Sequence, residues 1–412
     1  MKLSDRWKYG AIPGLLIHGS IGTVYCWSLL TSAIKDSMGG DSCDWAFSLA
    51  IFFLGISAAF LGPFVEKNVK MSTLTSAICF GLGMVLSGYA CLISSPLLFH
   101  ISFGVIMGIG LGIGYISPIK TMMMWFKESK GLAAGLAIAG FGIAKILGGP
   151  GFSYFIKNFG ITEMFIFHGI FYFMIMFIAS MFIKKPGEDE KECEVIKEGK
   201  KSKSSSWIKN IISIVKLKKI WLYWLAFYFN ISAGLAIISN EVNFYKYSDT
   251  TIIGVGWAIS ICAIFNSLGR LGVSWISDYL NNRGILFGII MVTSAILCIL
   301  GYSLQAFVVV TVLLCNAGYG AMFAVMPSAL HDRYGMKDIS KIHGFILSAW
   351  AFAGLTGNQL AKLVMNLPNS YSPRIILICS MVLYLSGAYF CINLWSNKKT
   401  NNTIKRKTKS LS

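Results

Sequence analysis

The chain has 412 residues, of which 55% are hydrophobic and 13% are charged, whereas a soluble globular chain carries roughly 25% charged residues. Its mean hydropathy is +0.65 and its net charge is +18. These values exclude a soluble enzyme, a disordered chain and a secreted disulfide scaffold. The basic residues lie between apolar runs and at both chain ends, which is typical of membrane topology, so we expect no nucleic-acid partner.

The apolar residues form runs long enough to cross a bilayer as helices. Numbered 1 to 12 in chain order, the predicted spans are residues 9–31, 45–65, 71–93, 97–119, 131–156, 161–183, 219–240, 251–277, 284–304, 306–328, 341–364 and 373–396. The sequence therefore predicts an all-α membrane protein with twelve transmembrane helices, embedded in the lipid bilayer.

The positively charged residues predict the orientation of these spans. Twenty-nine Lys and Arg residues fall on the side of the amino terminus, five fall on the opposite side, and Lys145 and Arg270 lie within spans. Cytoplasmic loops carry the excess of Lys and Arg, so we expect both termini in the cytoplasm. Short loops and a compact tail favour the plasma membrane of a bacterium, the inner membrane, and we expect a monomer.

The region between spans 6 and 7 divides the chain into two halves. It contains Pro186-Gly187, an acidic stretch at 188–194 and a Lys/Ser run at 200–206, which is typical of a flexible linker. The predicted domains are a six-helix bundle at 1–183, the linker at 184–218, a second bundle at 219–397 and a basic tail at 398–412.

The two halves also repeat each other in sequence. Ser117-Pro118 ends span 4 as Met326-Pro327 ends span 10, and Gly131 near the start of span 5 corresponds to Gly344 in span 11. Two six-helix repeats joined by a long loop describe a secondary transporter that rocks around a site at the membrane midplane.

This organisation resembles the major facilitator superfamily over nearly the whole chain. Within it, three stretches resemble the oxalate/formate antiporter family and the related monocarboxylate transporters: Arg6-Trp7-x-Tyr9 with Gly19-x-x-Gly22-x-x-Tyr25-x-Trp27-Ser28, Trp125-Phe126 with Gly131-Leu132-Ala133-x-Gly135-Leu136-Ala137, and Asn266-x-x-Gly269-Arg270 with Trp275-x-Ser277-Asp278. The resemblance also implies that Glu66-Lys67 and Asp278 belong to gating loops, where they latch one conformation.

Arg270 is the sharpest candidate for a binding residue. It lies about 10 Å from the cytoplasmic end of span 8, where a charge costs about 2.5–3.5 kcal/mol or more on insertion scales. Snorkelling to the interface is the alternative, but small and polar residues share its face of the helix, which favours a cavity. A guanidinium matches a carboxylate bidentately, and the resemblance implies that an arginine at this position binds the substrate carboxylate.

Lys145 is the second candidate cation, on a glycine-rich face of span 5. The alternative is a lysine that reaches the outer interface. The resemblance implies that spans 5 and 8 are neighbours across the halves, so we expect Lys145 and Arg270 to repel each other, each without a partner, until an anionic substrate binds.

One departure from the oxalate-transporting relatives bears on the substrate. Those relatives place a lysine in the first half of span 11, whereas this chain has Ser348-Ala349-Trp350-Ala351-Phe352. Either Lys145 replaces that lysine or the site needs one strong cation and takes monocarboxylates. The repeat position of Lys145 is Asn358, which predicts that both face the central cavity.

Three further residues carry weaker hypotheses. His18 and Tyr25 share one face of span 1, where the histidine could relay a proton, bind substrate or simply pack. Glu241, near the outer end of span 7, could carry a proton, although an interfacial carboxylate is the simpler interpretation. We expect no Asp or Glu at mid-membrane, which favours anion exchange over proton symport.

The sequence thus predicts a transporter of small organic anions, mono- or dicarboxylates such as oxalate, formate, lactate or pyruvate. Arg270, Lys145, His18, Tyr25 and Asn358 are its expected binding residues, and anion exchange is the expected mode. The alternatives are a proton-coupled monocarboxylate symporter, with His18 or Glu241 as proton carrier, and a membrane sensor without transport. No nucleophile–base pair, phosphate loop or metal cluster is visible, so we expect no enzyme activity, no metal and no cofactor.

Overall fold

The computed structural model describes residues 3–41, 43–186, 214–248, 255–280, 282–335, 339–365 and 372–396. Within them nearly all of the chain is helical. The predicted linker is described only at its two ends, and the acidic and Lys/Ser runs inside it lie outside the described residues. The predicted basic tail at 398–412 lies outside them as well.

Twelve helical spans are present in the described residues, as the hydropathy pattern predicts. They are α1 (residues 3–37), α2 (Trp45–Lys67), α3 (Val69–Leu92), α4 (Pro96–Trp125), α5 (Lys130–Phe159), α6 (Ile161–Phe182), α7 (Lys218–Ile238), α8 (residues 255–278), α9 (Gly284–Ser303), α10 (Val308–Tyr334), α11 (Ile339–Met365) and α12 (Ser372–Ser396). A short helix, Glu241–Tyr247, follows α7. The predicted all-α membrane fold is confirmed.

Ten of these helices are long and apolar enough to cross a membrane by composition alone, and α1 and α11 are the two others. Helix α1 is interrupted by a π-helical turn at Trp7–Ala11 and a 3₁₀ segment at Gly22–Cys26. Helix α11 carries polar side chains that contact α2, among them Asn358 and Gln359, which both donate to Ser48 Oγ. Helix α1 therefore is not a continuous α-helix, and α11 is not apolar along its whole length.

Two long interfaces join the first six helices to the last six, α5 with α8 and α2 with α11. Glycines bring the backbones together at the first of them. A Cβ atom on Gly142 would lie 1.5 Å from Ser267 Oγ, and one on Gly135 would lie 1.9 Å from Ser274 Oγ. Small residues of this kind let membrane helices pack at close range, which places side chains of α8 directly against α5.

Helix α8 departs from regular α-helical geometry at Arg270, the strongest binding candidate from the sequence. A π-helical turn, Gly269–Val273, interrupts it and carries Arg270. Such turns are rare inside α-helices and occur frequently at functional sites. The turn places Arg270 in the interior of the bundle, where its side chain is 1% exposed.

Candidate substrate-binding site

Neutral groups alone surround the Arg270 guanidinium in the described residues. Its Nε donates to Asn266 Oδ1 at 2.7 Å, and its Nη1 donates to the carbonyl oxygen of Ile138 at 3.4 Å. The guanidinium carbon lies 5.4 Å from the ring centre of Phe141 and 5.5 Å from that of Phe323. Arg270 therefore does not snorkel, and a buried cation held without a carboxylate favours the binding of an anion.

Aromatic side chains from five helices pack around this cation. With Arg270 they form what we call the Arg270 cluster, whose rings are Tyr25, Tyr115, Phe141, Tyr319, Phe323 and Trp350. The hydroxyl groups of Tyr25 and Tyr319 are hydrogen-bonded at 2.8 Å and so connect α1 to α10. The cluster is therefore a buried cation with mostly aromatic surroundings.

Three buried polar atoms at this cluster have no hydrogen-bond partner in the described part of the chain: Tyr115 Oη, Trp350 Nε1 and His343 Nε2. The Tyr115 ring centre is 5.3 Å from Trp350 and 6.1 Å from His343. A buried polar group that lacks a partner costs about 1–3 kcal/mol. The Tyr115 hydroxyl and the Trp350 indole N–H are donors, so they are available to oxygen atoms of a ligand bound at this cluster.

The expectation that Lys145 lacks a protein partner is wrong. Its ammonium forms an ion pair with Glu241, and the two side chains are 5% and 1% exposed. The other carboxylate oxygen of Glu241 accepts a hydrogen bond from Asn316 Nδ2 at 3.0 Å. Glu241 is therefore buried inside the protein, because the chain turns at the end of α7 and the short helix Glu241–Tyr247 packs against α10.

Hydrogen bonds continue from this ion pair to Arg270. Asn266 Nδ2 donates to the backbone oxygen of Asn316 at 3.1 Å, and Asn266 Oδ1 accepts from Arg270 Nε at 2.7 Å. A connected chain of polar contacts thus runs from Lys145 on α5 to Arg270 on α8. Asn316 could have been noticed in the sequence as a polar residue inside span 10.

The other predicted binding residues lie at different distances from the cluster. Tyr25 belongs to it. His18 lies behind it, with Nδ1 2.5 Å from the oxygen of Ala137 and Nε2 3.0 Å from that of Tyr115. Asn358 lies about 12 Å further along α11 than Trp350, where its Nδ2 donates to Ser48 Oγ at 2.9 Å.

The repeat relation between Lys145 and Asn358 has a structural counterpart. Each residue reaches across the contact between the halves, Lys145 to Glu241 in the second half and Asn358 to Ser48 in the first. These partners lie at two different interfaces between the halves, so the contacts of Lys145 and Asn358 do not support the hypothesis that both residues border one central cavity.

Asp278 contacts the first residues of α5 at the end of the bundle that holds the linker. Its two carboxylate oxygens accept hydrogen bonds from the backbone N–H groups of Gly131 at 2.8 Å and Leu132 at 2.9 Å. Arg283 donates to the same carboxylate at 2.6 Å. A carboxylate at a helix amino terminus is favoured by the helix dipole, so Asp278 connects the halves at this end. Lys67 is exposed, and the side chain of Glu66 lies outside the described part of the structure.

Comparison with known proteins assigns the family. The family model described as Major Facilitator Superfamily matches residues 15–358. The chain belongs to the Major Facilitator Superfamily. As a member of this transporter family it is a multi-pass membrane protein and not an enzyme.

Two relatives that align with most of the chain share about a quarter of its residues. The chain is 25% identical over 354 residues to the Escherichia coli (strain K12) protein described as "Uncharacterized MFS-type transporter YhjX", covering 83% of this chain and 84% of the relative. It is 24% identical over 370 residues to the oxalate:formate antiporter of Oxalobacter formigenes, covering 88% and 85%. The crystal structure of the superfamily transporter FucP in the outward conformation aligns with a TM-score of 0.63 at 14% identity, covering 92% and 98% of the chains. The last comparison supports the fold alone.

Several residues of the site were missed by the sequence analysis. Phe141, Tyr115, Phe323 and Trp350 form the walls of the Arg270 cluster, and His343 adds an unpartnered nitrogen. Aromatic residues are common throughout the twelve spans, so composition offered no signal that would separate these from packing residues. Their role depends on which helices meet, which a single sequence does not state.

Proposed function

We propose that the protein exchanges small carboxylate anions across the membrane by alternating access, with the carboxylate bound to Arg270. The observation that carries this proposal is a fully buried guanidinium with neutral partners only among the described residues. An anionic ligand supplies the missing charge, and its binding to residues of both halves favours their closure around it. The class of cargo is a mono- or dicarboxylate such as oxalate, formate, lactate or pyruvate, in line with the name of the Oxalobacter relative.

The walls of the Arg270 cluster have separate roles in this proposal. The guanidinium binds the carboxylate through its planar fork. The unpartnered Tyr115 and Trp350 groups donate to the remaining oxygen atoms of the cargo. Tyr25 and Tyr319 join α1 of the first half to α10 of the second beside the guanidinium, and His18 holds α1 against α4 and α5.

The proposal includes the topology that the charge distribution predicts. The two six-helix halves, 1–183 and 219–397, rock about the cluster, and the linker and both termini lie in the cytoplasm of a bacterial cell. Asp278 then acts as a cytoplasmic latch, because its contacts with the start of α5 must break for that side to open. Glu66-Lys67, which the sequence places in a loop and the structure places at the end of α2, is the repeat counterpart of that latch.

Proton-coupled monocarboxylate symport is the second candidate, and one observation favours it. Both ring nitrogens of His18 face backbone carbonyl oxygens. A neutral imidazole has one N–H group and satisfies one of these acceptors, whereas the protonated ring satisfies both. His18 could therefore hold a proton during transport, with Glu241 as the other titratable group near the site.

Arg270 substitutions test the binding step directly. In detergent-purified protein, formate, pyruvate and oxalate should each raise the melting temperature if they bind the folded form. Arg270→Gln should abolish that shift. Arg270→Lys should raise the carboxylate concentration needed for half of the shift roughly tenfold or more, because the bidentate fork is lost. Lys157→Gln, at an exposed position, is the control. An unchanged carboxylate response in Arg270→Gln would refute the proposed site.

A further inference from the structure

The ion pair between Lys145 and Glu241 changes the charge balance of the proposed site. Both residues are buried, and they belong to different halves of the protein. Glu241 uses one oxygen for the Lys145 ammonium and the other for Asn316. The positive charge of Lys145 is therefore neutralised within the protein, at a position where both side chains are almost fully buried and the attraction is stronger than in bulk water.

This pair lies close to the binding arginine along two routes. On α5, Lys145 is four residues beyond Phe141, so the two share one face of the helix about one turn apart, and Phe141 lies against the Arg270 guanidinium at 5.4 Å. From the other side, Asn316 and Asn266 connect Glu241 to Arg270 by hydrogen bonds. Lys145 thus lies one helical turn along α5 from the ring that packs on Arg270, and a continuous chain of polar contacts joins the two cations.

We propose that Glu241 sets the charge of the cargo, so that the site prefers a monoanion to a dianion of the same shape. This inference rests on the proposed function, since it concerns the same site. Of the cations buried beside the cluster in the described residues, Lys145 is neutralised by Glu241 and Arg270 remains uncompensated. One uncompensated cation balances one carboxylate, and a second carboxylate would lie among aromatic side chains without a countercharge.

Removal of the Glu241 charge should reverse this preference. In Glu241→Gln the ammonium of Lys145 loses its carboxylate and becomes a second uncompensated cation, one turn along α5 from the ring that packs on Arg270. A dianion then restores neutrality, because it supplies a negative charge to each of the two cations. Glu241 is therefore a specificity-determining residue that need not touch the cargo. Its ion pair with Lys145 keeps that lysine from binding a second carboxylate.

Oxamate and oxalate provide a matched pair of probes. They share the same two-carbon skeleton, and an amide in oxamate replaces the second carboxylate, so at pH 7 oxamate is a monoanion and oxalate a dianion. The apparent affinity of each for purified protein is measured by titration of the melting temperature. The wild type should bind oxamate at least about tenfold more tightly than oxalate, which corresponds to roughly 1.4 kcal/mol.

The variants distinguish the ion pair from the general polarity of the site. Glu241→Gln should move the oxamate-to-oxalate affinity ratio by at least about tenfold toward oxalate, the same factor as above. The double variant Lys145→Met/Glu241→Gln removes both charges and should return the ratio to that of the wild type. A ratio that stays unchanged in Glu241→Gln, or that moves equally in the double variant, overturns the inference.

The wild-type measurement keeps the inference falsifiable if Glu241→Gln does not fold. Wild-type protein that binds oxalate as tightly as oxamate, or more tightly, contradicts the charge balance without any variant. Wild-type protein that binds neither probe, nor formate or pyruvate, contradicts the proposed function itself. The failure of the specificity inference and the failure of carboxylate binding are therefore separate outcomes.

Discussion

At the scale of single residues, the two buried cations of the proposed site differ in their partners: Arg270 contacts neutral groups among the described residues, whereas Lys145 is paired with Glu241. An arginine inside an apolar span is costly, and its helical face is small and polar, so the sequence alone predicts a binding role. The partner of Lys145 was missed, because Glu241 lies 96 positions away and reaches the interior only after the turn that follows α7. The chain has 18 acidic residues, and the sequence does not state which of them meets a given lysine.

Trp350 provides a prediction at this scale. Replacement by Phe keeps an aromatic wall but removes the unpartnered Nε1 donor. If that donor binds the cargo, Trp350→Phe should raise the apparent KM for carboxylate exchange about five- to tenfold, as expected for one hydrogen bond, with little change in melting temperature.

Trp224→Phe is the matched control for Trp350. Its Nε1 already donates to Ser348 Oγ at 2.9 Å within the second half. Its loss should lower the melting temperature and leave KM within about twofold, because a structural hydrogen bond contributes to stability and not to binding. Equal KM values for Trp350→Phe and the wild type would assign Trp350 to packing alone.

At the scale of helices, hydropathy predicted the spans and repeat symmetry predicted their pairing into halves. The breaks within helices were not predicted. The π-helical turn Gly269–Val273 that orients Arg270 leaves no mark in the hydrophobic pattern, because it adds one residue to a turn without changing composition. The glycines of span 5 did indicate a close helix contact, and the structure places α8 there.

Gly142 tests whether the contact between α5 and α8 is required. A side chain at this position would overlap Ser267, whereas Gly272 on α8 has no neighbouring atom within 4 Å of an added Cβ. Gly142→Leu should therefore separate the helices, lower the free energy of unfolding by about 1–3 kcal/mol or more and abolish transport.

Gly272→Leu is the control on the facing helix. Leucine is a better helix former than glycine by roughly 1 kcal/mol, and the position is open, so stability and transport should persist. Melting temperature and exchange rate are measured for both variants. Wild-type behaviour in Gly142→Leu would show that the close contact is dispensable.

At the scale of the whole molecule, the two halves contact each other on both sides of the Arg270 cluster. Asp278 binds the start of α5 at one end, and at the other end Lys362 forms an ion pair with Asp44 while Asn358 bonds to Ser48. Arg270 is 1% exposed, so the structure holds the cluster closed. Rocking of the halves would open one set of these contacts at a time and expose the cluster alternately to each side.

The measurement that tests this account most directly is uptake of labelled formate and oxalate into proteoliposomes, with and without unlabelled carboxylate inside. The account predicts that internal carboxylate accelerates uptake at least about tenfold, that an imposed pH gradient has little effect, and that Arg270→Gln removes the flux. Uptake driven by the pH gradient without internal anion would instead establish proton symport. The absence of carboxylate flux under every condition would contradict the proposed substrate class and leave the fold unchanged.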